Sequence, residues 1–245
     1  MNQQEAVIQT VEKLGGLATL GQLYAEVFKI KDCAWKTKTP LASIRRIVQL
    51  HKSLYKIKPG LYGLVSKRNE HEARGIVAET EHNKDSIEVK SFGHSYYQGL
   101  LLAIGKLKKF DCWSPQQDKS KTVLNSTLGE LRTLQELPAF SYEHLVRRSA
   151  TVDVIWFNER KMPDSFFEVE HSTDMQNSLI KLIDLQDFHA RMVIVSEPKR
   201  RGELDSKLRL GAFQDIAKRT NFLPYDWLVK EYEHTIEASQ AGFIL

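Results

Sequence analysis

The stretch Thr151-Val-Asp-Val-Ile-Trp-Phe157 and, after a polar interval, Ser165-Phe-Phe-Glu-Val-Glu-His-Ser-Thr173 decide how this chain is read. Val152 to Phe157 is rich in β-branched and aromatic residues and too short for a stable helix. Ser165 to Glu170 has the same character, and Asn158 to Asp164 between them is a polar turn. The pattern predicts two neighbouring antiparallel strands. Side chains alternate along a strand, so Glu168 and Glu170 share one face while Phe167 and Val169 take the other. Asp153 falls on the adjoining strand. Carboxylates are costly to bury unless they are paired or hold a cation. Two glutamates alternating on an edge strand also fit a plain solvent-facing strand. The conjunction of three acids with apolar flanks favours a metal centre, with Asp153 and Glu168 as ligands and Glu170 beside them. Hard oxygen ligands suit Mg²⁺.

Working outward, Gly93 to Lys109 predicts a helix built on Tyr97, Leu100, Leu101, Ile104 and Leu107. Phe110 to Ser114 is read as a first core strand, and Ser86 to Ser91 as a strand or a lead-in. Ser141 to Val146 predicts a short helix. Ser172-Thr173 followed by Asp174 is read as a helix cap, and Leu179 to Arg191 as the helix. Met192 to Val195 is a buried-type strand, and Leu204–Leu210, Phe213–Arg219 and Tyr225–Ala238 close the chain as helices. Strands adjoining a helical crossover imply a mixed α/β fold, a central mixed sheet flanked by helices. Around the acids, His171 approaches a phosphate if the strand ends at Glu170 and otherwise packs away from it. Lys181 is a second phosphate contact. Glu130, Glu136 and Glu143 are further acids without an assigned place.

The first 68 residues differ in character. They carry twelve Lys or Arg against four Asp or Glu, a net of +8, whereas the remaining 177 residues carry 23 against 27. A basic head on a mildly acidic body suits a polyanionic partner. Ala6, Val7, Val11 and Leu14 form one helical stripe, broken by Gly15-Gly16. Thr19 caps a second helix reaching about Phe28, with Leu20, Leu23, Tyr24 and Val27 inward. Pro40 opens a third helix that continues to about His51. Leu54–Ile57, a Pro59-Gly60 turn and Leu61–Val65 read as a β-hairpin. Three helices and a hairpin make a winged helix-turn-helix, whose third helix enters a DNA major groove. Arg45, Arg46 and Gln49 project from that helix, with Lys36, Lys38, Lys52, Lys56 and Lys58 around them. An ordinary solvated face, or a surface that binds protein, is the alternative.

The domain reading is therefore 1–68 winged helix, 69–90 linker or lead-in, and 91–245 core. Two cysteines, Cys33 and Cys112, lie far apart and imply neither a disulfide framework nor a metal site. No apolar run is long enough to span a bilayer, and the polar N-terminus does not read as a signal peptide. A cytoplasmic, prokaryotic and nucleoid-associated setting is expected.

Val-Asp153-Val-Ile-Trp followed by Glu168-Val-Glu170 resembles the PD-(D/E)xK nuclease superfamily of many restriction endonucleases. The order of the Gly93 helix, the acid strands, the Leu179 helix and the Met192 strand is similar to its core. The segments Gly16–Tyr24, Thr37–Pro40, Ile44–Gln49 and Pro59–Leu64 resemble winged helices attached to some restriction enzymes. The resemblance implies a restriction-endonuclease-like core and an enzyme that hydrolyses double-stranded DNA with Mg²⁺, or Mn²⁺ in its place. It implies Asp153 and Glu168 as metal ligands, a homodimer, and a cognate DNA methyltransferase as partner. It departs at the third position, where a lysine is usual and Glu170 stands. Two alternatives remain open, a nuclease-fold DNA-binding protein without turnover and a protein-interaction scaffold.

Overall fold

The structure is a computed structural model and describes residues 1–171 and 174–240. The chain divides into two compact units, Met1–Phe92 together with the chain from Val229, and Gly93–Leu228. The sequence reading ran the second domain to the C-terminus; the last helix instead divides, its residues from Val229 grouping with the first unit.

In the first unit, α1 (Gln3–Lys13) starts at a capping box between Asn2 and Glu5 and buries Ala6, Val7, Thr10 and Val11. Strand β1 (Leu17–Thr19) escaped the sequence reading, since three residues carry no visible alternation. Thr19 then forms a second capping box with Gln22, and α2 runs Leu20–Glu26. Helix α3 (Pro40–Leu50) has Pro40 in its first turn, where no backbone N–H is required, and buries Ile44 and Val48. Strands β2 (Leu54–Lys58) and β3 (Leu61–Leu64) form the hairpin, and β1 joins β3 in an antiparallel sheet of order β1-β3-β2. Gly60 turns the hairpin at φ +73°, which a residue with a Cβ adopts only under strain. A short α4 (Arg68–Ala73) follows and buries His71.

Helix α5 (Ile87–Leu107) starts earlier than expected because the Ser86 hydroxyl accepts the Val89 N–H and fixes its first turn. In the second unit come β4 (Asp111–Trp113), a small hairpin of β5 (Thr122–Val123) and β6 (Ser126–Thr127), α6 (Leu128–Leu131) and α7 (Glu143–Ser149). Next are β7 (Val154–Phe157), β8 (Pro163–Glu170), α8 (Met175–Ile183), β9 (Arg191–Ser196), α9 (Arg201–Leu208), α10 (Gln214–Ala217) and β10 (Thr220–Pro224). Tyr225–Gln240 forms α11.

The central sheet has the order β10-β9-β8-β7-β4. β7 runs antiparallel to β4 and β8, whereas β8, β9 and β10 are parallel. This is a mixed α/β fold with a central sheet flanked by helices. β10 is an edge strand that sequence reading missed; Thr-Asn-Phe-Leu-Pro is short and half-exposed. Ile155, Phe157, Phe166, Met192 and Ile194 on one sheet face pack with Leu179 and Leu182 of α8. On the other face Trp156 donates its indole N–H to the Leu101 carbonyl of α5 at 3.0 Å. A Cβ added at Gly105 would lie 2.4 Å from Cys112 Sγ and 2.6 Å from Trp156 Nε1, so glycine permits this close approach of helix and sheet. Among the described residues, no helix is long and apolar enough to cross a membrane.

Candidate functional site

Asp153 stands one residue before β7, where the chain enters the sheet. Its Oδ2 accepts the Val169 N–H of β8 at 2.7 Å, which pins the carboxylate at the strand end. Its Oδ1 lies 3.3 Å from His94 Nε2 and 3.4 Å from Gln98 Nε2. His94 and Gln98 are one helical turn apart on α5, so both reach the same place. Gln98 also donates to Asp118 Oδ2 at 3.2 Å. Asp118 arrives from a 3₁₀ turn, Gln116–Asp118, that follows β4. One ligand atom from each of His94, Asp118 and Asp153 lies within 4.8 Å of the others. An imidazole nitrogen and two carboxylates fit a divalent cation. Lys121 touches the rim of this cluster, 2.7 Å from Asp118 Oδ1.

The two glutamates of β8 face α8 instead. Glu168 is 1% exposed, and Lys181 Nζ lies 2.8 Å from its Oε2 and 3.1 Å from its Oε1. Lys181 also donates to the Thr151 carbonyl at 3.0 Å. The Ser178 hydroxyl is 3.0 Å from Glu168 Oε2 and in hydrogen-bond contact with Glu170 Oε1. A hydroxyl has one proton and serves one carboxylate as donor. The Glu170 backbone carbonyl accepts from the Ser196 and Tyr225 hydroxyls at 2.6 and 2.7 Å, which fixes the end of β8.

Burial raises the Glu168 pKa well above the usual carboxylate range, and repulsion from Asp153 adds to this, opposed by Lys181 and Ser178. Burial pushes Asp153 the same way, but His94, Lys181 and the Val169 N–H outweigh it and hold its pKa low. Burial lowers His94, yet attraction to Asp153 leaves its pKa raised. Lys181 also ends raised, since Glu168 and Asp153 outweigh its desolvation. Asp153 is thus the group that feels both the His94 side and the Lys181 side, and the two acids are driven apart in acidity.

The structure places the sequence-chosen residues unevenly. Asp153 joins the ligand cluster. Glu168 and Lys181 form an ion pair next to it. β8 ends at Glu170, and the His171 ring that follows lies 5.0 Å from Tyr225, 5.9 Å from Tyr97 and 6.2 Å from His94, centroid to centroid. Glu130 caps α6 through Thr127, and Glu136 and Glu143 are exposed. The cap expected of Ser172-Thr173 lies outside the described residues; Asp174 caps α8 by accepting the Gln176 N–H at 2.9 Å.

In the first unit, Arg46 and Lys52 line an open groove of about 990 Å³ with Asn2, Ser43 and His51. Lys36, Lys38, Gln49 and Lys56 are exposed. Arg45 leans away, donating to Glu233 Oε2 at 2.8 Å and to the Tyr24 hydroxyl at 3.3 Å. Lys58 departs from the expectation of a phosphate contact: it is 3% exposed and paired to Glu79 at 2.6 Å, because a bulge between Lys56 and Lys58 turns it inward.

Sequence reading missed His94, Gln98, Asp118 and Ser178. The His94–Gln98 spacing on a predicted helix was a usable signal. Asp118, in an irregular turn, offered none.

A family profile described as the type II restriction enzyme NmeDI C-terminal domain matches residues 75–243. The matched span contains the whole cluster and leaves out residues 1–74. The chain is also similar to the type II restriction enzyme NmeDI of Neisseria meningitidis serogroup C, at 26% identity over 161 residues, 62% of this chain and 45% of that relative. The chain therefore spans less than half the length of the curated relative it matches. No solved structure matches it.

Proposed function

Because the chain belongs to the family of the type II restriction enzyme NmeDI C-terminal domain, we propose that it is a divalent-cation-dependent endonuclease that hydrolyses phosphodiester bonds of double-stranded DNA. One observation carries this reading: a buried Asp153 carboxylate adjoins His94 and Asp118 and also feels the Glu168–Lys181 pair. The residues fit a metal, since an imidazole and two carboxylates converge and the fully buried Gln98 leaves its Oε1 without a partner among the described residues. Asp153, Asp118 and His94 would hold the ion; the superfamily resemblance implies Mg²⁺, or Mn²⁺ in its place. Such an ion supplies a Lewis acid that polarises the phosphate and offsets clustered negative charge.

The chain's own groups do the rest. Lys181, aimed by Glu168 and the Thr151 carbonyl, sets a positive charge where negative charge grows on the phosphoryl oxygens. Glu168, with its pKa raised by burial, is suited to take the proton of the attacking water. Glu170 steadies Ser178. The PD-(D/E)xK arrangement is the superfamily reading this supports.

Within the first unit, α1, α2 and α3 with the β1-β3-β2 sheet are read as a winged helix-turn-helix. Arg46, Gln49, Lys52, Lys36, Lys38 and Lys56 are its proposed DNA contacts. It would direct cleavage to a specific or modified site, with two copies each cutting one strand and a cognate methyltransferase guarding the host. Incubation of the purified chain with methylated and unmethylated plasmids, in Mg²⁺, Mn²⁺ or EDTA, tests the proposal. Linear or nicked product that disappears in EDTA supports it. Salt-sensitive DNA binding without cutting in either ion favours a nuclease-fold DNA-binding protein.

A further inference from the structure

We infer that His94, Asp118 and Asp153 select a first-row transition-metal dication, such as Mn²⁺ or Co²⁺, over Mg²⁺. This rests on the nuclease reading and names the cofactor class of that same site.

Three observations converge on it. The first is the donor set. Mg²⁺ favours oxygen ligands in a near-ideal octahedron and sheds its water reluctantly. An imidazole nitrogen shifts preference towards transition metals, along the order Mn²⁺ to Cu²⁺. His94 Nε2 is already 3.3 Å from Asp153 Oδ1, within the group whose ligand atoms span 4.8 Å.

The second is what an all-oxygen site lacks. Sharing a cation between Asp153 and Glu168 would supply the carboxylates that Mg²⁺ favours. Both oxygens of Glu168 are instead engaged by the Lys181 ammonium, at 2.8 and 3.1 Å. Bringing Glu168 to the ion means displacing a partly buried positive charge. Asp118 and His94 need no such exchange; the ammonium on Asp118 is that of Lys121, whose side chain is 37% exposed and can withdraw into water.

The third is Gln98. Its side chain is fully buried, its Nε2 touches both carboxylates, and its Oε1 has no hydrogen-bond partner among the described residues. A buried amide oxygen left unpaired is costly. Turned over about its last side-chain bond, so that Oε1 rather than Nε2 meets the site of the two carboxylates, the amide would be a neutral oxygen ligand that completes a nitrogen-and-oxygen set without adding charge, leaving two carboxylates to balance one dication.

The test is calorimetric titration of the whole chain, without DNA, with MnCl₂, CoCl₂ and MgCl₂. Wild type is expected to bind Mn²⁺ and Co²⁺ about tenfold or more tighter than Mg²⁺, and His94→Ala to weaken Mn²⁺ and Co²⁺ more than Mg²⁺, so that the preference falls to near parity. Melting curves in EDTA check that the variant folds. Should it not, electron spin echo spectra of Mn²⁺-loaded wild type are expected to carry the modulation of a coordinated imidazole nitrogen. Equal affinity for Mg²⁺ and Mn²⁺, retained preference in a folded His94→Ala, no imidazole modulation, or no saturable binding of any ion overturns the inference. Mg²⁺-dependent cleavage that ignores His94 would sink the inference and leave the nuclease reading standing. Imidazole-ligated Mn²⁺ with no cleavage in any ion would do the reverse.

Discussion

Lys181 Nζ of α8 lies 2.8 Å from Glu168 Oε2 of β8 and 3.1 Å from Oε1, closing a partly buried ion pair across thirteen residues of sequence. Two residues beyond Glu168 on the same strand face stands Glu170, where the resemblance leads one to look for a lysine. The ammonium is present, but it comes from the neighbouring helix. Under the nuclease reading, Lys181→Ala is expected to lower plasmid cleavage on the order of 10²–10³-fold, the scale of losing one preorganised charge stabiliser. DNA affinity in a gel-shift titration should change little. Wild-type cleavage by a folded Lys181→Ala protein would remove Lys181 from the chemistry.

The two β8 glutamates allow a sharper comparison. Glu168 holds Lys181 and has the strongly raised pKa; Glu170 bonds Ser178. Glu168→Gln is expected to lose most cleavage, whereas Glu170→Gln keeps a substantial part. The reverse ranking, read from initial rates on the same plasmid, would assign the proton-handling role to Glu170.

How much of this was legible in the sequence depends on the range of the interaction. Alternation along Phe166–Glu170 placed both glutamates on one face and Phe167 and Val169 on the other, and the sheet has that register. The helical stripes of α1 and α3 were equally plain, since each is written within a dozen residues. What the sequence could not disclose is which elements those faces meet. Asp153 finds His94 and Asp118 because α5 and the turn after β4 converge on the end of β7. Lys181 was singled out as a phosphate contact, yet its pairing with Glu168 follows only from α8 crossing the β8 face. Lys58 shows the converse: a bulge invisible to alternation turned a residue beside the hairpin turn inward.

Arg45 was grouped with Arg46 as a DNA contact, but its guanidinium bonds Glu233, which is only 7% exposed. Arg45→Ala leaves a buried carboxylate without its cation and is expected to destabilise the first unit by about 1–3 kcal/mol. Arg46→Ala should leave the melting temperature nearly unchanged and weaken DNA binding, with a shallower salt slope. Similar melting temperatures for the two variants would contradict this division of labour.

His71 makes the first unit sensitive to acid. It is buried, its Nδ1 lies 2.8 Å from the Tyr55 hydroxyl, and burial, aided by Arg74, depresses its pKa below the usual 6.5. The unfolded chain therefore binds the proton more readily than the native one. His71 contributes stability that is full above about pH 6.5 and is lost as pH falls through the lowered native value. Urea midpoints are expected to fall on acidification below neutrality, and His71→Gln should flatten that fall. An unchanged slope in the variant would assign the acid sensitivity to other groups.

Gly105 reports on packing rather than chemistry. A Cβ there meets Cys112 Sγ and Trp156 Nε1 well inside contact distance. Gly105→Ala should cost about 1–3 kcal/mol through forced repacking of α5 against the sheet, despite alanine's better helix propensity. A stabilised variant in a thermal melt would show that the helix–sheet gap is wider than described.

The most direct measurement is plasmid cleavage by wild type and Asp153→Asn, side by side in Mn²⁺, Mg²⁺ and EDTA. Asparagine keeps an oxygen for the Val169 N–H, so the strand end is preserved while the charge is removed. The expected result is ion-dependent cutting by wild type, none in EDTA, and none by a folded Asp153→Asn that still binds DNA. Cutting by Asp153→Asn at the wild-type rate, or cutting that persists in EDTA, would contradict the assignment of the site.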